Sequence, residues 1–200
     1  MQPYETSYKN WQDSKTQIFR NYGDFSEQGN RLEYWDKILN DFYMPKEYSV
    51  FHLIDCIRLK NLDRISLCNV KVTYIHYVVE AGPENSIDNQ LLGVLKLKNR
   101  WKNTVILPRD FQKWLRLVIP SNGWINGEFL FSLKYFTLTK DKDQMKKLKS
   151  MGFFTDLLKL KDCQIELCDD LLLIKKMKNF DQDDTKDLMK CLKSLSEKGL

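Results

Sequence analysis

Glycine is scarce, at eight residues in 200. Neither G-x-x-x-x-G-K-S/T nor G-x-G-x-x-G occurs, which removes the backbone cradles that grip nucleotide phosphates. The nucleophile elbow G-x-S-x-G and the kinase signature set are missing too. Histidine is limited to His52 and His76, and the five cysteines (Cys56, Cys68, Cys163, Cys168, Cys191) include no C-x-x-C pair. Together they do not complete the four-ligand set of structural zinc. An odd cysteine count of this kind reads as the reduced thiols of an intracellular protein. No apolar run approaches the roughly 18 residues of a membrane span, and the polar start MQPYETSYKNW is unlike a signal peptide. The expectation is an intracellular protein with no cofactor, no metal and no membrane partner.

What the chain does have is core material: 42% hydrophobic and 12% aromatic residues, with a net charge of +5. That charge allows an anionic partner without requiring one. Two adjacent acidic pairs, Asp169-Asp170 and Asp183-Asp184, suit turns and helix caps, since neighbours on a strand point opposite ways. His52 and Cys56, four residues apart, are the nearest approach to a catalytic couple.

The organising stretch is 66–138. CNVKVTYIHYVV (68–79), QLLGVLKLK (90–98) and TVIL (104–107) are rich in the β-branched and aromatic residues of pleated, half-buried surfaces. YSVFHLIDCIRL (48–59) reads as a first strand, although so short a run does not separate from a buried helix by period alone. Pro108 then starts a helix, RDFQKWLRLV (109–118). Phe129, Phe131, Leu133 and Tyr135 return to a period of two. Between these elements, EAGPENSIDN (80–89) reads as an extended hairpin loop and Asn99–Asn103 as a tight connection.

Before the barrel lies an aromatic arm, 1–29, expected on the surface of the domain or of a partner. A helix follows over 30–43, with Asn30 as N-cap and Trp35, Ile38, Leu39 and Phe42 as its apolar stripe. After the barrel, 139–161 reads as a helix broken at Gly152, Cys163 to Met177 as a hairpin around Asp169-Asp170, and a last helix starts at Asp184 or Thr185 and stops at Gly199.

The fold class is thus mainly β with flanking helices, α+β: an OB-like five-stranded barrel with a leading helix and a C-terminal helical and hairpin extension. The divisions are 1–29, 30–140 and 141–200, with the extension packed on the barrel. Lys71, Lys96, Lys98, Arg100, Lys102 and Lys134 lie on or beside the strands, interleaved with Trp101, Tyr74, His76 and Tyr77. Basic groups beside aromatics form a platform for single-stranded nucleic acid. The expected contact surface comprises Trp101, Ile87, Lys71, Lys96, Lys98, Arg100 and Lys102, because Trp101 and the 80–89 segment show no intramolecular task.

The element order in EYWDKILNDF, CNVKVTYIHYVV, LLGVLKLK, RDFQKWLRLV and GEFLFSLKYFTL resembles the OB-fold subunits of telomere and telomerase complexes, in particular the telomerase-recruiting shelterin type. The resemblance covers 30–140. It implies a non-catalytic nuclear adaptor that docks other protein subunits of a nucleoprotein complex, and it assigns no individual binding residue. The alternatives are a direct single-stranded DNA or RNA binder and, from another class, a small enzyme of unrecognised type.

Overall fold

The computed structural model describes residues 3–29, 31–78, 82–108, 129–139, 141–177 and 180–200. Six strands form one open antiparallel sheet: β1 (Phe25–Gly29), β2 (Val50–Leu59), β3 (Ile65–Val78), β4 (Gly82–Pro108), β5 (Tyr135–Thr139) and β6 (Cys163–Lys176). The helices are α1 (Pro3–Tyr22), α2 (Trp35–Asp41), α3 (Phe129–Lys134), α4 (Lys142–Ser150), α5 (Phe153–Leu157) and α6 (Gln182–Glu197), with a 3-10 turn over Met44–Glu47. The class is mainly β with flanking helices, as the sequence implies. The expected closed barrel is instead an open sheet.

β1 to β4 form a meander, and β4 then pairs on both edges. Leu92 faces Cys68 of β3 on one side and Lys175 of β6 on the other. Further along, Thr104 faces Thr139 of β5 and Leu167 of β6. The 1–29 segment supplies β1 and the 141–200 segment supplies β6, so all three sequence divisions contribute to one sheet.

Alternation divides the core between the two faces. On one face Ile65, Leu67, Leu91, Leu95, Ile165 and Leu172 pack with the buried sides of α1, α4, α5 and α6. On the other, Leu53, Cys68, Val70, Leu92 and Leu173 pack beneath Ile38 of α2 and Met44 of the 3-10 turn. The aromatic arm is largely helix α1. Its Trp11 is buried and donates Nε1–H to Asp55 Oδ2 at 2.7 Å. Ser14 and Thr185 of α6 share a hydrogen bond of 2.9 Å.

Several local expectations give way to tertiary pairing. Gly82-Pro83 and Asn85-Ser86 sit in β4 rather than in a loop, because Val78↔Gly82 through Thr73↔Ile87 continue the β3 ladder. β6 joins β4 only from Leu92, so Pro83 lies on strand pairing at one edge alone, where a missing N–H is tolerated. Asn99 to Asn103 is likewise inside β4, as an irregularity opposite Asp169. Asp169 takes a positive φ of 53°, and Lys37 of α2 bonds both Asp169 (2.5 Å) and Asp170 (2.6 Å). The expected hairpin turn is therefore a pinned bulge within one strand.

FLFSLK is helical rather than extended. Phe131 of this helix stacks on Tyr135 at the start of β5, with ring centroids 5.0 Å apart. The helix expected over 30–43 is regular only over Trp35–Asp41, without a side-chain cap; Asn30 falls outside the described residues, as does the helix expected over 109–118. The break at Gly152 (φ 68°) and the stop at Gly199 (φ 85°) are as read. The last helix begins earlier than expected, at the capping box Asp181–Asp184.

Gly93 lets α6 approach the sheet. A Cβ there would stand 2.7 Å from Leu192 Cδ1 and 3.2 Å from the Leu188 methyls. Gly93→Val should therefore lower unfolding free energy by about 1–3 kcal/mol through overpacking, measured by urea denaturation; an unchanged midpoint would show that α6 sits looser on β4.

Candidate functional site

The residues expected to form one contact surface are divided between two places. Lys71 and Ile87 lie where β3 and β4 approach their hairpin, since Lys71 faces Asn89 and Thr73 faces Ile87. Lys96, Lys98, Arg100, Trp101 and Lys102 lie around the β4 irregularity. Ile87 and Trp101 are 14 positions apart along one strand, on the order of 45 Å at full extension.

Around the irregularity the charges have intramolecular partners. Arg100 Nε is 3.3 Å from Asp169, and Lys102 Nζ is 2.8 Å from Asp141. Lys96 Nζ lies 5.0 Å from the centre of the Tyr34 ring, and its pKa is raised, chiefly by the Tyr34 side chain. Lys98 is exposed. Trp101 is only 6% exposed and belongs to the main core. Lys147 Nζ sits 4.9 Å over its ring. The premise that Trp101 lacks an intramolecular task is thereby corrected: one face packs in the core and the other meets an ammonium group. Lys134 Nζ bonds the Leu158 carbonyl at 2.9 Å and is half-buried, away from any strand face.

His52 and Cys56 do not form a couple. The β2 register shifts between Leu53 and Asp55, so His52 faces Lys71 while Cys56 faces Cys68. Odd and even positions of β3 point to opposite sides of the sheet.

Sequence reasoning missed a cluster under the 3-10 turn. On the face of β6 that carries Leu171 and Leu173, three inward positions are polar: Gln164, Glu166 and Lys175, all buried. Glu166 accepts the Tyr43 amide at 2.8 Å, and Gln164 Nε2 reaches Glu166 Oε1 at 3.3 Å. Lys175 Nζ bonds Tyr48 Oη and lies 4.1 Å from that ring's centre. Glu47, from the 3-10 turn, brings a second carboxylate whose oxygens are buried. Burial pushes Glu166 up to about 7, against the pull of the Tyr43 amide. Burial also raises Glu47, opposed by Lys175. Desolvation lowers Lys175, with Glu47 and Glu166 holding it up. The readable signal was polar residues at core-facing positions of an otherwise apolar strand.

A second feature is a cleft of about 240 Å³ at the start of α6, with Leu91, Leu160 and Leu188 below and Lys176, Asp184 and Asp187 at its rim. Lys176 and Asp184 pair at 2.7 Å across it. Its volume falls under the roughly 300–1,000 Å³ of ordinary ligand pockets. Among the described residues, no three His, Cys, Asp or Glu side chains converge as a metal site, and no helix is long and apolar enough to cross a membrane.

No family model and no curated protein matches the chain. Among solved structures it is similar to the crystal structure of the mycobacterial trehalose monomycolate transport factor A, TtfA, with a TM-score of 0.56 and 8% identity over 96% of this chain and 93% of that one. The likeness is one of fold. It corrects the reading as a nuclear telomere- or telomerase-type adaptor: that reading stood on a likeness to OB-fold subunits, whereas the architecture matched is that of a transport factor. Among the described residues the sheet is open and closes into no barrel of the kind on which that reading stood. The alternative of direct single-strand binding fares no better, since Trp101, its stacking residue, is buried.

Two outcomes test this geometry. Trp101→Ala should cost about 3–5 kcal/mol, the range for emptying a core aromatic site; a change under about 0.5 kcal/mol in a denaturant melt would return Trp101 to the surface. For Glu166 the folded pKa is raised, so its share of stability is complete below about 4.5 and lost as pH rises through about 7. Glu166→Gln should accordingly gain on the parent by on the order of 1–2 kcal/mol between pH 5 and pH 8. A stability gap that stays constant with pH would mean that Glu166 is solvated.

Proposed function

We propose that the chain is a non-catalytic accessory module that binds a partner protein across the open end of its sheet. The observation that carries this reading is the pair Val50 and Ile87, which flank Thr73 from β2 and β4. Directly opposed residues share a sheet face, and these two are 45% and 54% exposed. Aliphatic neighbours left open on a sheet mark a contact site more than scattered exposed residues do. Exposed His52 and half-buried Lys71 stand two pairs further along β2 and β3, on the same face. The surface suits an apolar segment with an acidic flank, with the aliphatic groups supplying affinity and Lys71 steering.

A non-enzymatic role is in keeping with how the buried ions Lys175 and Glu166 are held. Lys175 and Glu166 are enclosed between β6 and the 3-10 turn, and their neighbours are protein groups. The similar solved protein is named a transport factor; the likeness is one of fold, and the proposal rests on the exposed Val50 and Ile87 pair instead.

The double substitution Val50→Glu with Ile87→Glu tests the proposal. Crosslinked co-purification from native cells should recover partner proteins with the parent chain and at least about tenfold less of them with the variant, equivalent to roughly 1.4 kcal/mol. The two melting temperatures should agree within about 2 °C, as for surface changes generally. An identical set of proteins captured by both chains would contradict this choice of surface.

A further inference from the structure

We propose that Cys56 and Cys68 are a cross-strand dithiol that closes to a disulfide within the native fold. The two residues are directly opposed in the β2–β3 ladder. Opposed residues in an antiparallel pair have Cα atoms about 4.5–5.5 Å apart, inside the roughly 4.4–6.8 Å that a disulfide spans. Their side chains lie on the same face, and the sulfur atoms are already 3.1 Å apart. No backbone movement is needed to bring them together.

The other thiols lack this placement. Cys163 and Cys191 belong to the core on the opposite face of the sheet. Cys168 shares the face of Cys56 and Cys68 but is carried by β6, beyond β3 and β4 in the sheet. The five cysteines thus resolve into one pair and three single thiols.

Closure requires an oxidant, which we take to be a low-molecular-weight disulfide. One cysteine thiolate attacks it, releasing one small thiol and leaving a mixed disulfide on the protein. The second cysteine, having lost its proton, then displaces the other small thiol. Two protein thiols are oxidised to one disulfide, and one small disulfide is reduced to two thiols. Both cysteines are 0% exposed, and burial with the neighbouring Cys56 thiol raises Cys68 well above the usual thiol range. The exchange is therefore slow in the closed sheet and proceeds through local opening. Cys56 is where opening is easiest: β2 is irregular between Leu53 and Asp55 just before it, and the five-residue edge strand β1 is irregular between Glu27 and Gly29 just opposite it.

The test uses the unmodified chain. It is incubated, folded, with oxidised glutathione at mildly alkaline pH, alkylated, and digested with trypsin without reduction. Cleavage after Lys46, Arg58, Arg64 and Lys71 places the two cysteines on separate peptides. The expected product is a linked pair, Glu47–Arg58 with Ile65–Lys71, that disappears on reduction, together with intact protein lighter by two hydrogens and free of glutathione. In concentrated guanidinium the same oxidant should distribute links among several cysteine pairs. Persistent glutathione adducts, a link to Cys168, or appearance of the pair only in denaturant would each overturn the proposal.

Discussion

A single strand, β4, has to serve three partners. At about 3.3 Å per residue, 27 extended residues would reach on the order of 90 Å, whereas a 200-residue domain has a radius of gyration of about 16 Å. The strand must therefore bend. Its register with β6 shifts between Lys96 and Thr104, the kind of irregularity at which a strand bends. The bend is secured from several sides: Lys37 binds Asp169 and Asp170, Arg100 reaches Asp169, and Gln144 of α4 bonds the Lys102 backbone through both its amide atoms at 2.8 Å. Trp101 fills the core at the same point. Residues that resemble a nucleic-acid surface when read as a list are the fastening of this bend.

The two faces of the sheet differ in how they tolerate charge. The face under α1, α4, α5 and α6 holds a continuous apolar core, with Gly93 admitting α6 closely. The opposite face has a smaller core and encloses Glu166 and Lys175 beneath the Met44–Glu47 turn. Buried ions of this kind are costly to desolvate, and their main effect is to make one arrangement of the covering segment preferable to others. Their energetic weight follows pH because burial moves both groups toward neutrality, while the charges of Glu47 and Glu166 on Lys175, and of Lys175 on Glu166, oppose it.

Element type was legible where periodicity and packing agreed. The strand over Ile65–Val78 and the amphipathic last helix follow from their patterns, and the breaks at Gly152 and Gly199 fit the positive φ they adopt. Legibility failed where long-range pairing overrode local signals. Gly82-Pro83 and Asn85-Ser86 are breakers in isolation, yet fourteen consecutive pairs to β3 hold them extended. Asp169-Asp170 has turn chemistry, but Lys37, 132 and 133 residues distant, converts the turn into a bulge. Trp101 departs from its expected surface place for a related reason: neighbours in sequence need not be neighbours on a surface. The core position of Trp101 depends on α4 and the Lys147 ammonium, which sequence does not place beside it.

β4 is one strand, paired with β3 over 82–95 and with β6 over 92–106. Interstrand nuclear Overhauser effects in the folded protein test it most directly. The expected spectrum connects Leu92 to Cys68 on one edge and to Lys175 on the other, and carries the β3 contacts outward to Thr73 and Ile87. Contacts from Leu92 to β3 alone, with 82–89 showing the fast amide exchange and missing cross-strand effects of a loop, would contradict it.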